Sequence, residues 1–149
     1  MRFCFPFFLQ LDDAIEIALA HLGLDQPLRP RQRETIVHLL AGKDVFAQLP
    51  TGYGKSLCFQ LLPFVWDALN INQNCGILIV MPLISIIIDQ ISKLRGLKIP
   101  FIWLKDVNEE LLEDLENESF RFIYTTPEAI LSNPCLGTLY DAESLLGCD

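Results

Sequence analysis

Basic residues, paired cysteines and long apolar runs are all scarce in this sequence, and each scarcity removes a class of function. Lys and Arg number 11 against 19 Asp and Glu, for a net charge of −8. That balance argues against a free-standing nucleic-acid binder, whose affinity comes largely from neutralising phosphates. The five cysteines, Cys4, Cys58, Cys75, Cys135 and Cys148, are odd in number and form no Cys-x-x-Cys pair. Neither a disulfide framework nor a zinc site is expected, and reduced, intracellular thiols fit better. The longest apolar run, residues 76–88, contains Pro82 and stops at Asp89. It is too short to cross a bilayer, so no membrane anchor is expected. Residues 1–9 are apolar, but Asp12, Asp13 and Glu16 interrupt before a secretory signal could form. They read as a truncated or remodelled start. No internal repeat or low-complexity segment occurs.

What the sequence does have is material for a core. At 149 residues, with 51% hydrophobic and 20% charged, it predicts one globular α/β unit rather than a disordered chain. The negative charge is also unevenly spread. Residues 107–118 carry five Glu and one Asp with no basic residue, whereas residues 28–56 carry five basic and two acidic. The acid is mostly one solvated helix face.

Periodicity predicts two leading helices and then alternation. Residues 11–22 place Ile15, Leu19 and Leu22 on one helical face, with Gly23 just beyond. A second helix starts near Pro30, runs through Ile36, Val37, Leu39 and Leu40, and stops at Gly42. Strands are expected at residues 45–49, 76–81, 101–104 and 120–125, separated by helical segments. Such alternation implies a parallel sheet covered on both faces. Residues 84–94 are rich in isoleucine, yet Ile84, Ile87, Ile88, Ile91 and Leu94 follow a helical series, opposite Ser85, Asp89, Ser92 and Lys93. In the helix over residues 57–70, Pro63 should cause a kink or a restart at Phe64. His21, His38, Arg31 and Arg33 read as ordinary core or surface residues, Cys58 as packing, and Trp66 and Trp103 as core aromatics. After Leu131 the pattern fades.

Residues 49–60 carry the chemistry. Thr51, Gly52, Tyr53, Gly54, Lys55 and Ser56 link the expected strand to a helix through a glycine-rich turn ending in Lys-Ser. Backbone N–H groups there can wrap a triphosphate, Lys55 can reach the β/γ oxygens, and the Ser56 hydroxyl can ligate Mg²⁺. The pattern Gly-x-x-x-x-Gly-Lys-Ser/Thr wants glycine at position 49, where this chain has Leu49.

Three further segments stand in a telling order around Lys55. Arg29-Pro30-Arg31-Gln32 precedes it, and Pro82-Leu83 with Asp89-Gln90, then Thr126-Pro127-Glu128, follow. Over about residues 22–132 this order resembles the first motor domain of RecQ-family ATP-dependent DNA helicases of superfamily 2, in which Ser-Leu-Cys-aromatic-Gln, here Ser56 to Gln60, also follows the phosphate loop. The resemblance implies an incomplete RecA-like three-layer α/β/α sandwich with a mainly parallel sheet. Residues 1–27 would be a helical segment and residues 28–149 a partial ATP-binding domain. It implies ATP and Mg²⁺ as cofactors, with Arg29, Gln32 and residues 51–56 binding nucleotide. Lys55 and Ser56 would be catalytic, and Gln32 would read adenine. Pro82, Leu83, Gln90, Thr126 and Pro127 would line a path for single-stranded or forked DNA. A second motor domain of the parent chain, 3′ to 5′ translocation, and an intracellular site of action, nuclear in a eukaryote, are further implications.

This chain departs from the family pattern at several positions. Leu24 or Leu28 occupies the neighbourhood where an aromatic residue usually stacks on adenine, and Met81 replaces a serine before Pro82. No Asp-Glu-x-His element follows, and Asp141, Glu143 and Asp149 lie on no recognisable strand. The chain alone is therefore expected to bind ATP weakly and turn it over negligibly. Two alternatives stay open: a superfamily 2 RNA helicase, though such enzymes usually have Pro-Thr-Arg-Glu-Leu at position 82 and Thr-Pro-Gly-Arg at 126, or a truncated, non-catalytic binding fragment.

Overall fold

The computed structural model describes residues 5–71, 75–104 and 120–132, with side chains described from Gln10 onward. The chain divides into two compact units, residues 1–73 and 74–149. The acidic run at 107–118, the segment beyond Ser132, and Cys4, Cys135 and Cys148 lie outside the described residues.

In the first unit, α1 (Phe5–His21) begins earlier than the expected Leu11. Pro6 sits in its first turn, where a missing N–H costs no hydrogen bond. Leu11, Ala14, Ile15, Ala18 and Leu19 are all buried, a helical stripe that packs against α4 (Leu62–Ala68). The His21 ring stacks on Phe64 at 5.1 Å with a 13° interplanar angle. The next helix, α2 (Pro30–Leu40), has proline in its first turn and buries Gln32, Thr35 and Ile36. Arg33 is not simply solvated: its guanidinium grips the Asp12 carboxylate of α1 at 2.7 Å.

The strand expected at residues 45–49 does not form. A strand persists through its ladder, not through the propensity of Val45 and Phe46 alone. Here the backbone of residues 44–48 makes no hydrogen bond among the described residues, and Phe46 is 94% exposed. A cavity of about 230 Å³ opens between this segment and the α2 face carrying Arg31, Glu34, Thr35 and His38. The helix expected over residues 57–70 is also revised. It starts at Lys55 as α3 (Lys55–Gln60), breaks at Leu61 and resumes as α4. Pro63 has no N–H to return to the carbonyl of Phe59, so the break falls upstream of the proline rather than after it. Leu61 keeps helical angles (φ −79°, ψ −26°), making this a kink and not a loop.

Among the described residues the second unit holds the other three expected strands, β1 (Ile77–Val80), β2 (Phe101–Leu104) and β3 (Phe122–Thr125). All pairings are parallel in the order β1-β3-β2, with Val80 and Leu104 both opposite Thr125. A Cβ on Gly76 would lie 2.5 Å from the carbonyl oxygen of Phe120, so the approach to β1 requires glycine. The core contains Ile79, Leu104, Phe122 and Tyr124, with Ile87, Ile91 and Leu94 from α5 (Ile84–Gly96).

The isoleucine-rich segment is a helix, but its buried face is rotated from the expected one. Ile87, Gln90, Ile91 and Leu94 point inward, while Ile84 and Ile88 are 48% and 51% exposed. A run with isoleucine on both sides offers more than one apolar stripe, and tertiary packing buries the one that runs through Ile87, Ile91 and Leu94. The last described element is α6 (Pro127–Ser132). Among the described residues no helix is long and apolar enough to cross a membrane.

Candidate nucleotide site

Two left-handed glycines shape the turn before α3. Gly52 has φ +77° and Gly54, the residue preceding the helix, has φ +85°, a region that side-chain-bearing residues rarely enter. The Tyr53 N–H donates to the Pro50 carbonyl at 3.2 Å and closes the turn. Beyond it, the backbone N–H groups of Gly54 and Lys55 make no hydrogen bond among the described residues. These are the orphan donors of a helix start, where partial positive charge collects.

The Lys55 ammonium folds back across this turn, donating to the carbonyls of Leu49 at 3.0 Å and Pro50 at 3.2 Å. Leu49 thus contributes its backbone oxygen, which any residue can supply. That accounts physically for a leucine at the position where the common pattern has glycine. An exposed cation, two orphan N–H groups and a glycine turn suit a polyphosphate, and Ser56 in the first turn of α3 supplies a hydroxyl oxygen of the kind that Mg²⁺ prefers. Thr51, exposed at the start of the turn, completes the loop.

The start of α2 is fastened to this loop. Gln32 is 4% exposed; its Oε1 accepts the Arg29 N–H at 2.8 Å, and its Nε2 donates to the carbonyls of Tyr53 at 2.9 Å and Gly54 at 3.1 Å. The Arg29 guanidinium lies 4.8 Å from the Tyr53 ring centroid and donates to the Gly52 carbonyl at 3.3 Å. Arg29, Gln32 and residues 51–56 are therefore one contiguous group within the first unit.

Two further participants give no sign in the sequence: the Leu49 and Pro50 carbonyls that hold Lys55, and the Thr35–Cys58 contact behind the loop. Burial pushes the Cys58 thiol up from its ordinary value, opposed by a backbone hydrogen bond and by the Thr35 hydroxyl. Thr35 in turn donates to the Arg31 carbonyl at 2.8 Å. A Thr four residues after Arg31 is compatible with that bond, but its contact with Cys58 depends on tertiary packing.

The residues expected to meet nucleic acid lie in the second unit. Parallel pairing of β1 with β3 puts Pro82-Leu83 and Thr126-Pro127 at the carboxyl ends of neighbouring strands, and the Met81 N–H donates to the Thr125 carbonyl at 2.9 Å. Leu83 precedes α5 and is 56% exposed. Thr126 accepts the Ala129 N–H on its hydroxyl at 3.2 Å, capping α6. Two helix starts thus emerge from adjacent strand ends. Gln90 is apart from them, 6% exposed on the packed face of α5.

The sequence matches the DEAD/DEAH box helicase family over residues 29–143. It is 37% identical over 129 residues to the ATP-dependent DNA helicase hus2/rqh1 of Schizosaccharomyces pombe, covering 78% of this chain and 9% of that protein. It is 33% identical over 156 aligned positions to ATP-dependent DNA helicase Q1 of Mus musculus, covering 96% and 22%. To the ATP-dependent DNA helicase RecQ of a Synechocystis species it is 32% identical over 126 residues, covering 81% and 25%. The chain thus spans between about a tenth and a quarter of the length of these three relatives, each named as a DNA and not an RNA helicase. It belongs to the DEAD/DEAH box helicase family, with relatives of the RecQ type.

Proposed function

We propose that this chain is the ATP-binding part of a RecQ-like DNA helicase, whose complete protein couples ATP hydrolysis to 3′ to 5′ movement along single-stranded or forked DNA. The observation that carries the reading is the Lys55 ammonium held by the Leu49 and Pro50 carbonyls beside the orphan N–H groups of Gly54 and Lys55. A triphosphate offers stronger acceptors than two carbonyls, and Lys55 transfers to it when nucleotide enters. Ser56 ligates the accompanying Mg²⁺, and the bound triphosphate supplies the free energy for movement. Arg29, Gln32, Thr51, Gly52, Tyr53 and Gly54 shape the cradle.

The nucleic-acid contacts fall at Pro82, Leu83, Thr126 and Pro127, where two helix starts offer N–H groups to a phosphate backbone. Contacts of this kind carry no base identity, as a motor stepping along any sequence requires. The packed position of Gln90 suits it to bracing α5 beneath those loops rather than touching the strand. A second motor domain of the parent chain would complete the catalytic site, and the setting would be intracellular, nuclear in a eukaryote. With no Asp-Glu-x-His run in the sequence, this chain binds nucleotide without appreciable turnover.

Titrating the chain with a fluorescent ATP analogue, with and without Mg²⁺, tests the nucleotide site: saturable, Mg²⁺-strengthened binding is expected. A labelled single-stranded oligodeoxynucleotide tests the nucleic-acid path, with binding that weakens as salt rises. No saturable binding of nucleotide would overturn the reading.

A further inference from the structure

We infer that Thr35 and Cys58 form a buried clamp that positions the start of α3, making Thr35 a positioning residue for triphosphate binding, an inference that rests on the nucleotide-site reading above. The helix α3 is six residues long. A helix that short makes too few hydrogen bonds of its own to hold its place, so its alignment comes from what it packs against. Cys58 is its one buried residue. That residue stands one turn after Gly54 and Lys55, whose N–H groups make no hydrogen bond among the described residues. Over a single 5.4 Å turn the helix backbone moves as a unit, so a shift at Cys58 carries those donors with it.

The anchor for Cys58 lies on α2, which packs against α3. The Thr35 side chain is hydrogen-bonded to Cys58, and its hydroxyl donates to the Arg31 carbonyl at 2.8 Å. A hydroxyl has one proton and two lone pairs, so one oxygen serves both partners. While the thiol is protonated, the Thr35 proton goes to Arg31 and the Cys58 S–H donates to the Thr35 oxygen. A two-bond chain thus runs from the α2 backbone to the turn that opens α3. Thr35 and Cys58 are only 8% and 5% exposed, so an entering phosphate meets the exposed Lys55 contacts and not these. Valine has the shape of threonine but can make neither bond, and burying a hydroxyl where valine would fit costs free energy unless the hydroxyl is bonded. The two bonds offset that cost and fix the register of α3 against α2.

The test measures binding of ATP and of inorganic tripolyphosphate, each with Mg²⁺, to the full chain and its variants by displacement of a fluorescent nucleotide, with circular dichroism confirming that each is folded. A clamp predicts that Thr35→Val and Cys58→Ala each weaken both ligands by roughly three- to tenfold, the scale of one hydrogen bond. The double variant should be no weaker than the weaker single one, because either change already breaks the chain. Thr35→Ser, which keeps the hydroxyl, should stay within about twofold of wild type. Unchanged affinity in Thr35→Val, losses that multiply in the double variant, or a Thr35→Ser as weak as Thr35→Val overturns the inference, since a merely structural role lowers stability without this pattern. If Thr35→Val does not fold, Cys58→Ser against Cys58→Ala decides: affinity kept with the hydroxyl and lost without it supports the clamp, and equal affinity overturns it. If neither ligand binds wild type, the nucleotide-site reading itself has failed and the inference falls with it, a pattern distinct from a wild type that binds and a Thr35→Val that binds equally.

Discussion

The carboxamide nitrogen of Gln32 lies 3.1 Å from the carbonyl oxygen of Gly54, and a Cβ at position 54 would approach that same nitrogen to 2.6 Å. Glycine is required there twice over, for the left-handed turn with φ +85° and for the room Gln32 occupies. Gly54→Ala is expected to cost about 2 to 3 kcal/mol, combining backbone strain with displaced hydrogen bonds. Urea denaturation measures it; a cost below about 0.5 kcal/mol would mean that the contact is slack.

The rotated face of α5 predicts a contrast between adjacent residues. Ile87 is fully buried and Ile88 is 51% exposed. Ile87→Ala should destabilise the chain by about 2 to 4 kcal/mol and Ile88→Ala by less than about 1. Equal costs in a denaturant titration would show that both stripes are packed.

The ion pair joining α2 to α1 is expected to be weak. Arg33 and Asp12 approach to 2.7 Å, yet their side chains are 35% and 58% exposed. Asp12→Asn should cost about 0.5 kcal/mol, and the difference from wild type should vanish at high salt. A salt-independent loss of several kcal/mol would contradict this.

Cys58 gives a pH dependence of definite sign. Burial raises its thiol above the ordinary value, so the folded chain holds that proton more tightly than the unfolded chain. The contribution to stability is full below the ordinary thiol range and is lost as pH climbs through it. Wild type should lose stability at alkaline pH more steeply than Cys58→Ala, and Cys58 should resist alkylation until the chain unfolds. Rapid alkylation of Cys58 in the native state would refute the assignment.

Much of this was legible in the sequence, because local chemistry dictated it. Pro30 opening α2, Gly54 before Lys55 and the i, i+3, i+4 series of α5 each declare an element within one or two turns of chain. Legibility ended where structure depends on distant partners. Val45 and Phe46 have strand propensity, but no ladder among the described residues holds them. Ile84 and Ile88 are as apolar as Ile87 and Ile91, and only packing decides which pair is buried. The family resemblance pointed to Gln32 as a member of the candidate site, whereas the destination of its amide protons follows from the positions of the Tyr53 and Gly54 carbonyls. Leu49, an apparent defect in the glycine pattern, becomes unremarkable once its carbonyl is seen to hold Lys55.

The central claim is that Lys55 passes from the carbonyls of Leu49 and Pro50 to a bound triphosphate. Equilibrium titration of Mg²⁺ and a fluorescent ATP analogue into wild type and Lys55→Ala tests it most directly, with circular dichroism confirming that both are folded. The account predicts binding at least about tenfold weaker in Lys55→Ala, the scale of a lost charge-assisted hydrogen bond. Equal affinity in the two proteins would contradict it.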